Sequence, residues 1–279
     1  MPEFTKALFL QALDEWGRYG ETFAALTAPE QAAFLKEQGY ASLHDLLAHV
    51  GAWWEEAQGI VDEAVAQRRG PQRRYDFDEF NATAVSRFKD MPEASLMAWY
   101  ESERQQMMRV VSALSDEQMK TKRVSGWLDG VILEHLKEHS VDAPRFLTSD
   151  ALQREWADYA GRFRALSPEK QAAFLKKQGF ARFRDLAAHI TAWWEQGIRA
   201  IESSADGDPC DVEDVDAFNA EAVARSGQLE ESEVFSEYEK TRLTLAGLID
   251  GLPNEVYARP NVQTWLRADV LEHYFEHPL

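Results

Sequence analysis

The chain has 279 residues, of which 45% are hydrophobic, enough for two ordinary hydrophobic cores. Its formal net charge of −18 at pH 7 disfavours a nucleic-acid partner, because approach to phosphate would lose Coulomb energy. No run of about 18 apolar residues is present to span a membrane, and the amino terminus lacks the pattern of a signal peptide. The one cysteine, Cys210, cannot form an internal disulfide. These features favour a cytoplasmic protein.

Apolar residues recur at helical spacing almost throughout the chain, and no credible strand run occurs. A first helix is predicted after Thr5, followed by a short helix that begins at Pro29. A long helix is predicted from Ser42, whose hydroxyl suits a helix cap, to about Gln67. These three segments open the first half of the chain.

The first half continues with a loop and two more helices. Residues 68–79 are predicted to be a loop, because they contain a Gly-Pro pair. A helix is predicted from about Pro92 to Leu114, and a last helix from about Ser125 to Val141, where a following proline ends it. Four principal helices indicate a four-helix bundle.

The second half repeats the first. Three segments return in the same order: residues 28–57 as 167–197 with one insertion, 76–85 as 214–223, and 124–139 as 262–277. The repeat is therefore a whole domain of about 140 residues, longer than a solenoid unit of about 20–50 residues. We predict an all-α chain of two tandem four-helix bundles, residues 1–147 and 148–279.

Six of the seven histidines form two matching sets. The sets are His49, His135 and His139, then His189, His273 and His277. Residues four apart on a helix lie on one face, so the two histidines of each HxxxH pair point together. The first histidine of each set falls in an apolar stripe of the long helix. All six imidazoles are therefore predicted to face the interior, whereas the seventh, His44, is expected at the surface.

Two interpretations of these histidines stay open. Three neutral imidazoles can hold one divalent metal and leave a position for water or substrate, and the affinity order for imidazole favours Zn²⁺ or Ni²⁺. An inward histidine can equally be a hydrogen-bonded core residue. The duplication of the whole set favours metal, with up to two ions per chain.

Other residues near these histidines are weaker candidates. Four tryptophans can either line a pocket or pack in the core: Trp53, Trp127, Trp193 and Trp265. Asn81 and Asn219 are expected to be cap or turn residues rather than substrate contacts. The glutamates next to the histidine pairs are expected on a solvated face: Glu134, Glu138, Glu272 and Glu276. No nucleophile elbow, phosphate-binding glycine loop or CxxC motif is present, so no catalytic residue is assigned.

The segments DLLAHVGAWWEEA, DEFNATAVSRFKDMP and WLDGVILEHLKEH follow one another in this order. Together they resemble the DinB-like superfamily, most closely its ClbS/DfsB branch of four-helix bundle proteins, over essentially the whole chain. The patterns DLxAHxxxW and WLx(5)EHxxEH occur in both halves. The resemblance implies one metal ligand on the second long helix and an HxxxH pair on the last, which are the two histidine sets above.

The resemblance also implies a function. Enzymes of the superfamily include thiol-dependent transferases and isomerases that use a divalent metal, and the branch's namesake hydrolyses an electrophilic cyclopropane. We therefore expect a divalent-metal-dependent hydrolase or transferase that acts on a small electrophilic or thiol-conjugated molecule, in detoxification or self-resistance. The alternative is a non-catalytic bundle that binds a small molecule, or a stress-related structural protein. DinB-like proteins often form homodimers, and a fused pair would replace that dimer within one chain.

Overall fold

The computed structural model describes residues 6–67, 74–203 and 212–279. Helix accounts for 82% of the structure, and none of the described residues forms a strand. The predicted all-α fold class is therefore confirmed. No helix within the described ranges has both the length and the apolar character that crossing a membrane requires. Thr5, Cys210 and the first half of the predicted loop at 68–79 lie outside the described residues.

The chain divides into two compact units, a first unit of residues 3–141 and a second unit of residues 142–279. The described helices of the first unit are α1 Lys6–Ala25, α2 Ala28–Glu37, α3 Leu43–Val65, α4 Phe77–Phe88, α5 Glu93–Ala113, α6 Asp116–Met119, α7 Lys122–Leu128, the π-helical segment π1 Asp129–Glu134, and α8 His135–Glu138.

The second unit repeats this order, with a further π-helical segment in its first long helix. Its described helices are α9 Arg145–Asp150, π2 Ala151–Glu155, α10 Trp156–Ala165, α11 Pro168–Gln178, α12 Phe183–Ser203, α13 Val215–Ser226, α14 Glu231–Gly251, α15 Asn254–Tyr257, α16 Pro260–Leu266, π3 Arg267–Glu272, and α17 His273–Glu276. The predicted domain boundary after Leu147 falls within α9. The interpretation of the units as a tandem pair of DinB-like bundles stays a prediction.

Each unit surrounds its core with four long helical segments. In the first unit, α3 packs against α5 and α7, and α1 packs against α5 and π1. In the second unit, α12 packs against α14, α16 and π3, and α9 packs against α14 and π3. The largest side chains with almost no exposed surface include Trp16 and Trp54 in the first unit, and Trp156 and Trp194 in the second. The second and last long segments are thus neighbours, as closure of each histidine set requires.

Side-chain caps explain where several helices begin. The Ser42 hydroxyl accepts a hydrogen bond from the Asp45 backbone N–H at 3.2 Å, which starts α3 as the sequence predicted. The Asp76 carboxylate accepts one from the Glu79 N–H at 3.1 Å. Helix α4 therefore begins at Phe77, and the prediction of a loop throughout residues 68–79 is wrong at its end. The second unit repeats this cap with Asp214.

The last long segment of each unit is interrupted by a π-helical segment just before the HxxxH pair. The sequence predicted one regular helix there. In the first unit, the buried indole N–H of Trp54 donates to the Val131 carbonyl at 2.8 Å, and that of Trp16 donates to the Ile132 carbonyl at 3.1 Å. In the second unit, Trp194 and Trp156 donate to the corresponding carbonyls of π3, at 3.2 and 3.0 Å. These bonds satisfy buried carbonyls that irregular helix geometry exposes.

Candidate metal centres

The first histidine set converges in space. His49 projects from α3, His135 begins α8, and His139 follows its end. One nitrogen of each ring lies within 4.8 Å of the others. The ring centroid of His49 is 5.0 Å from that of His135 and 5.5 Å from that of His139. The centroids of His135 and His139 are 5.6 Å apart. These spacings bring three imidazoles around one point.

The second set has nearly the same geometry. The nitrogens of His189, His273 and His277 also lie within 4.8 Å of one another. The centroid of His189 is 5.0 Å from that of His273 and 5.4 Å from that of His277. The Nε2 atoms of His189 and His273 are 3.0 Å apart. The duplicated spacing of the sequence therefore corresponds to a duplicated three-dimensional arrangement.

Both triads contain buried ring nitrogens without a hydrogen-bond partner. Five of the six histidines are buried, whereas His135 is half-buried, so the predicted inward orientation is only partial there. The unpartnered atoms are Nδ1 of His49, Nε2 of His139, Nδ1 of His189, Nδ1 of His273 and Nε2 of His277. A buried polar atom without a partner is costly. Imidazole nitrogens that lack a protein partner fit a divalent ion such as Zn²⁺ or Ni²⁺, which would bind through the nitrogens that face the centre of each triad.

Two glutamines that the sequence interpretation missed orient the last histidine of each triad. Nδ1 of His139 lies 2.6 Å from Oε1 of Gln38, and Nδ1 of His277 lies 2.7 Å from Oε1 of Gln178. An amide oxygen can only accept, so Nδ1 carries the proton and Nε2 keeps the lone pair that a metal needs. A signal existed in the sequence, because a Gln-Gly pair occupies the same place in both halves.

The glycine that follows each glutamine explains its placement. Gly39 and Gly179 have φ values of 76° and 77°, a left-handed conformation that glycine adopts without steric cost. This conformation ends the short second helix of each unit. The chain then turns toward the triad, and the glutamine at the turn contacts the histidine.

Replacing Gln38 with leucine is expected to weaken metal binding at the first triad by about 10–100-fold, the usual effect of losing a partner that orients a ligand. The side chain keeps its approximate size but cannot accept the His139 proton. Calorimetric titration with Zn²⁺ would measure the loss, and Gln178→Leu should act equally on the second triad. Gln31→Leu is the control, because Gln31 lies in the helix that Gln38 ends and its side-chain amide donates to the carbonyls of Phe23 and Leu26. Equal affinity in Gln38→Leu and Gln31→Leu would contradict the orienting role.

Burial keeps the first triad neutral. It lowers the pKa of His49 to about 3, with the charge of His135 adding to the effect and Asn81 opposing it. It lowers the pKa of His135 to about 4, against a hydrogen bond to the Val131 carbonyl. The pKa of His139 falls well below its ordinary value through burial and then through His135 and His49. Neutral imidazole is the form that binds metal.

The second triad behaves in the same way. Burial lowers the pKa of His189 to about 4 against Asn219, and lowers that of His277 to about 4 together with the charge of His189. The pKa of His273 is held well below its ordinary value by burial and then by His189 and His277. All six histidines are therefore uncharged at neutral pH.

A cavity of about 790 Å³ adjoins the first triad. All three histidines line it, and so do Trp53 and Trp127. The neighbouring Trp54 lies in the core instead, so the two adjacent tryptophans divide between cavity and core. In the second unit, Trp265 packs so closely on α12 that a Cβ added to Gly197 would lie 1.5 Å from its ring, while Trp193 packs on Phe218 with ring centroids 4.7 Å apart.

Two minor expectations require correction. Asn81 and Asn219 lie inside α4 and α13 and do not cap them; each accepts a hydrogen bond at 2.9 Å, from the indoles of Trp53 and Trp193. Glu138 is exposed, as the sequence predicts, and it also lines the cavity. The second expectation is the surface position of His44. His44 is half-buried, with Nε2 3.1 Å from the Met91 carbonyl. Asn81 reaches Trp53 because α4 packs against α3. Sequence spacing alone does not show this packing.

Comparisons with known proteins found no match among family models, curated proteins or solved structures. The likeness to the DinB-like superfamily therefore rests on the sequence patterns described above. The geometry of the two triads stands independently of it.

Proposed function

We propose that the chain is a divalent-metal-dependent enzyme of the DinB-like ClbS/DfsB type, a hydrolase or transferase acting on a small electrophilic or thiol-conjugated molecule. The observation that carries the proposal lies in the first unit. Three neutral histidines with converging nitrogens line a cavity of about 790 Å³, within the usual size range of small-molecule sites. The two units would be tandem bundles that replace a homodimer within one chain.

The residues of the first unit have distinct roles in this proposal. His49, His135 and His139 would hold the metal, which when bound polarises a substrate oxygen or lowers the pKa of a bound water or thiol toward about 7. Gln38 fixes the tautomer of His139. Trp53, held by Asn81 at 2.9 Å, shields one side of the cavity from water. Exclusion of water strengthens the polarisation of whatever binds there.

A non-catalytic small-molecule-binding protein is the second candidate, and one observation favours it. The cavity wall is strongly aromatic: Trp53, Tyr75, Phe77 and Trp127 all line it. Aromatic walls bind planar molecules without chemistry. Under this alternative, the triads would be hydrogen-bonded or metal-stabilised structural elements.

Metal content and turnover together decide between the candidates. Protein purified without chelator is expected to retain up to two divalent ions per chain. It should convert a test electrophile, either styrene oxide with water or 1-chloro-2,4-dinitrobenzene with a thiol, and lose this turnover on chelation until Zn²⁺ or Ni²⁺ is restored. His44→Ala, which removes the one histidine outside the triads, should behave as the unchanged protein. Retained metal without turnover on either electrophile would support the binding protein, and turnover that survives complete metal removal would overturn the metal-dependent mechanism.

A further inference from the structure

The cavity of the first unit has an aromatic wall in which Trp53 is buried, with its ring centroid 4.0 Å from that of Phe80, and in which Phe77 is exposed. The centroid of Trp53 lies 5.5 Å from that of Tyr75, 5.8 Å from that of Phe77 and 6.3 Å from that of Trp127. Phe77 exposes 64% of its surface. A large exposed aromatic side chain on a cavity wall is a natural surface for stacking a planar ligand.

Cationic side chains line the same cavity. Lys122 is exposed and Arg123 is half-buried, with the Arg123 guanidinium 3.0 Å from the Glu63 carboxylate. The carboxylate of Glu138 also lines the cavity. The triad contributes no negative charge, because its three ligands are neutral imidazoles, so a bound divalent ion would add two positive charges beside the single carboxylate of Glu138. The charge balance of the metal-loaded cavity therefore favours an anionic group.

Two glycines keep the cavity open. Gly126 and Gly130 are four residues apart in the last helical segment, and both line the cavity. A Cβ built on either one meets no atom within 4 Å. Glycine inside a helix destabilises it by about 0.5–1 kcal/mol relative to alanine. Both positions therefore carry a residue that leaves open space at the cavity wall instead of the residue that would favour the helix.

The second unit lacks most of these features at the matching positions, which are 138 residues further on (260 − 122 = 138). The counterparts of the two cations are Pro260 and Asn261, and those of the two glycines are Thr264 and Ala268. Phe77 is matched by Val215. The combination of aromatic wall, cations and open glycines thus belongs to the first unit.

We propose that the first-unit cavity binds a planar aromatic molecule carrying an anionic group, with the ring against the exposed Phe77 and the anion toward Lys122, Arg123 and the triad. The inference rests on the proposed function in treating this cavity as the substrate site. It adds the chemical class of the substrate and assigns substrate binding to one of the two duplicated units.

Binding of 2-naphthoate, with the neutral 2-naphthamide as its near-isostere, tests the proposal by calorimetry on the full-length, zinc-loaded chain. One 2-naphthoate per chain is expected, bound about two- to fivefold more tightly than the amide, which is the range that exposed ion pairs supply. The double change Lys122→Gln with Arg123→Gln should remove most of this preference. Lys120→Gln, close in sequence but outside the cavity lining, should preserve it. Equal affinity for acid and amide in the unchanged protein would overturn the anionic part of the proposal.

A cavity-filling change tests the location. Gly126→Leu is expected to weaken 2-naphthoate binding at least tenfold, because the leucine side chain enters open cavity space, while the melting temperature stays equal or rises because a helical glycine is removed. The matched change Thr264→Leu in the second unit should leave binding unaltered. Unchanged binding in a folded Gly126→Leu protein would place the ligand elsewhere and overturn the assignment.

Zinc binding and probe binding, measured in separate titrations, distinguish this proposal from the proposed function. If zinc binds to both triads but neither probe binds, the aromatic-anion inference is wrong and the metal-dependent enzyme stands. If the acid is bound by chelator-treated protein that takes up no zinc, the aromatic-anion class is supported and the metal-dependent function fails.

Discussion

Replacing His135 and His273 together with alanine is expected to abolish tight binding of divalent metal, whereas either single change should reduce the stoichiometry from two ions per chain to one. Each histidine is one of three converging ligands. Alanine removes one imidazole nitrogen, and a water molecule in its place would bind the metal much more weakly. Loss of a ligand should exceed the roughly 10–100-fold effect of losing its hydrogen-bond partner. If the chain is an enzyme, the double variant should also lose turnover.

Calorimetric titration of chelator-treated protein gives the number of ions directly, and His44→Ala is the matched control. The single variants also distinguish the two units: loss of all turnover in His135→Ala with full turnover in His273→Ala would assign catalysis to the first unit. Two ions still bound by the double variant would assign the metal to carboxylates and overturn the site.

The all-α fold was predictable because local chemistry and packing favour the same segments. Ser42 caps a helix whose apolar stripe contains His49, and both features can be read from a single stretch of sequence. The duplicated histidines were predictable for a similar reason, since each HxxxH pair spans one helical turn and its partner lies in another apolar stripe. Local periodicity therefore predicts the inward direction of five of the six histidines, whereas His135 is half-buried.

The features that were missed depend on contacts between distant parts of the chain. The π-helical segment before His135 has two carbonyls bonded by Trp16 and Trp54, which lie 116 and 77 residues away. No pattern within residues 122–138 indicates it. Gln38 likewise contacts His139 across 101 residues. Its repetition in the second half was visible, but repetition marks common descent as readily as a functional contact.

The same limit applies to the cavity. Trp53 and Trp127 were predicted as either pocket or core residues, and the sequence gives no means to decide, because the cavity exists only where α3, α4 and the last helical segment meet. The sequence likewise does not show that Gly126 and Gly130 border the cavity. This is known only from the structure, in which a Cβ on either glycine would enter open space.

Chelator-treated protein is expected to lose stability steeply as the pH falls from about 6.5 toward about 4. An unfolded histidine has a pKa of about 6.5, whereas burial lowers the pKa of His49 to about 3 and that of His135, His189 and His277 to about 4. Between these values the unfolded chain binds protons that the folded chain does not. The stability contributed by each neutral histidine is therefore complete above about pH 6.5 and is lost toward the folded pKa.

The size of the effect makes it measurable by urea unfolding at pH 7.5, 6.5, 5.5 and 4.5. Each proton taken up only on unfolding changes the unfolding free energy by about 1.4 kcal/mol per pH unit, so three histidines give about 4 kcal/mol per pH unit in each unit, comparable with a large part of a domain's stability. Replacing His49 and His139 with glutamine should flatten the slope, and His44→Ala should not. Because protons compete with metal at the folded site only near its low pKa values, stabilisation by zinc should persist at pH 5.5 and fade toward pH 4. A pH-independent unfolding free energy across this range would mean that the histidines are solvated, and would contradict the burial of both triads.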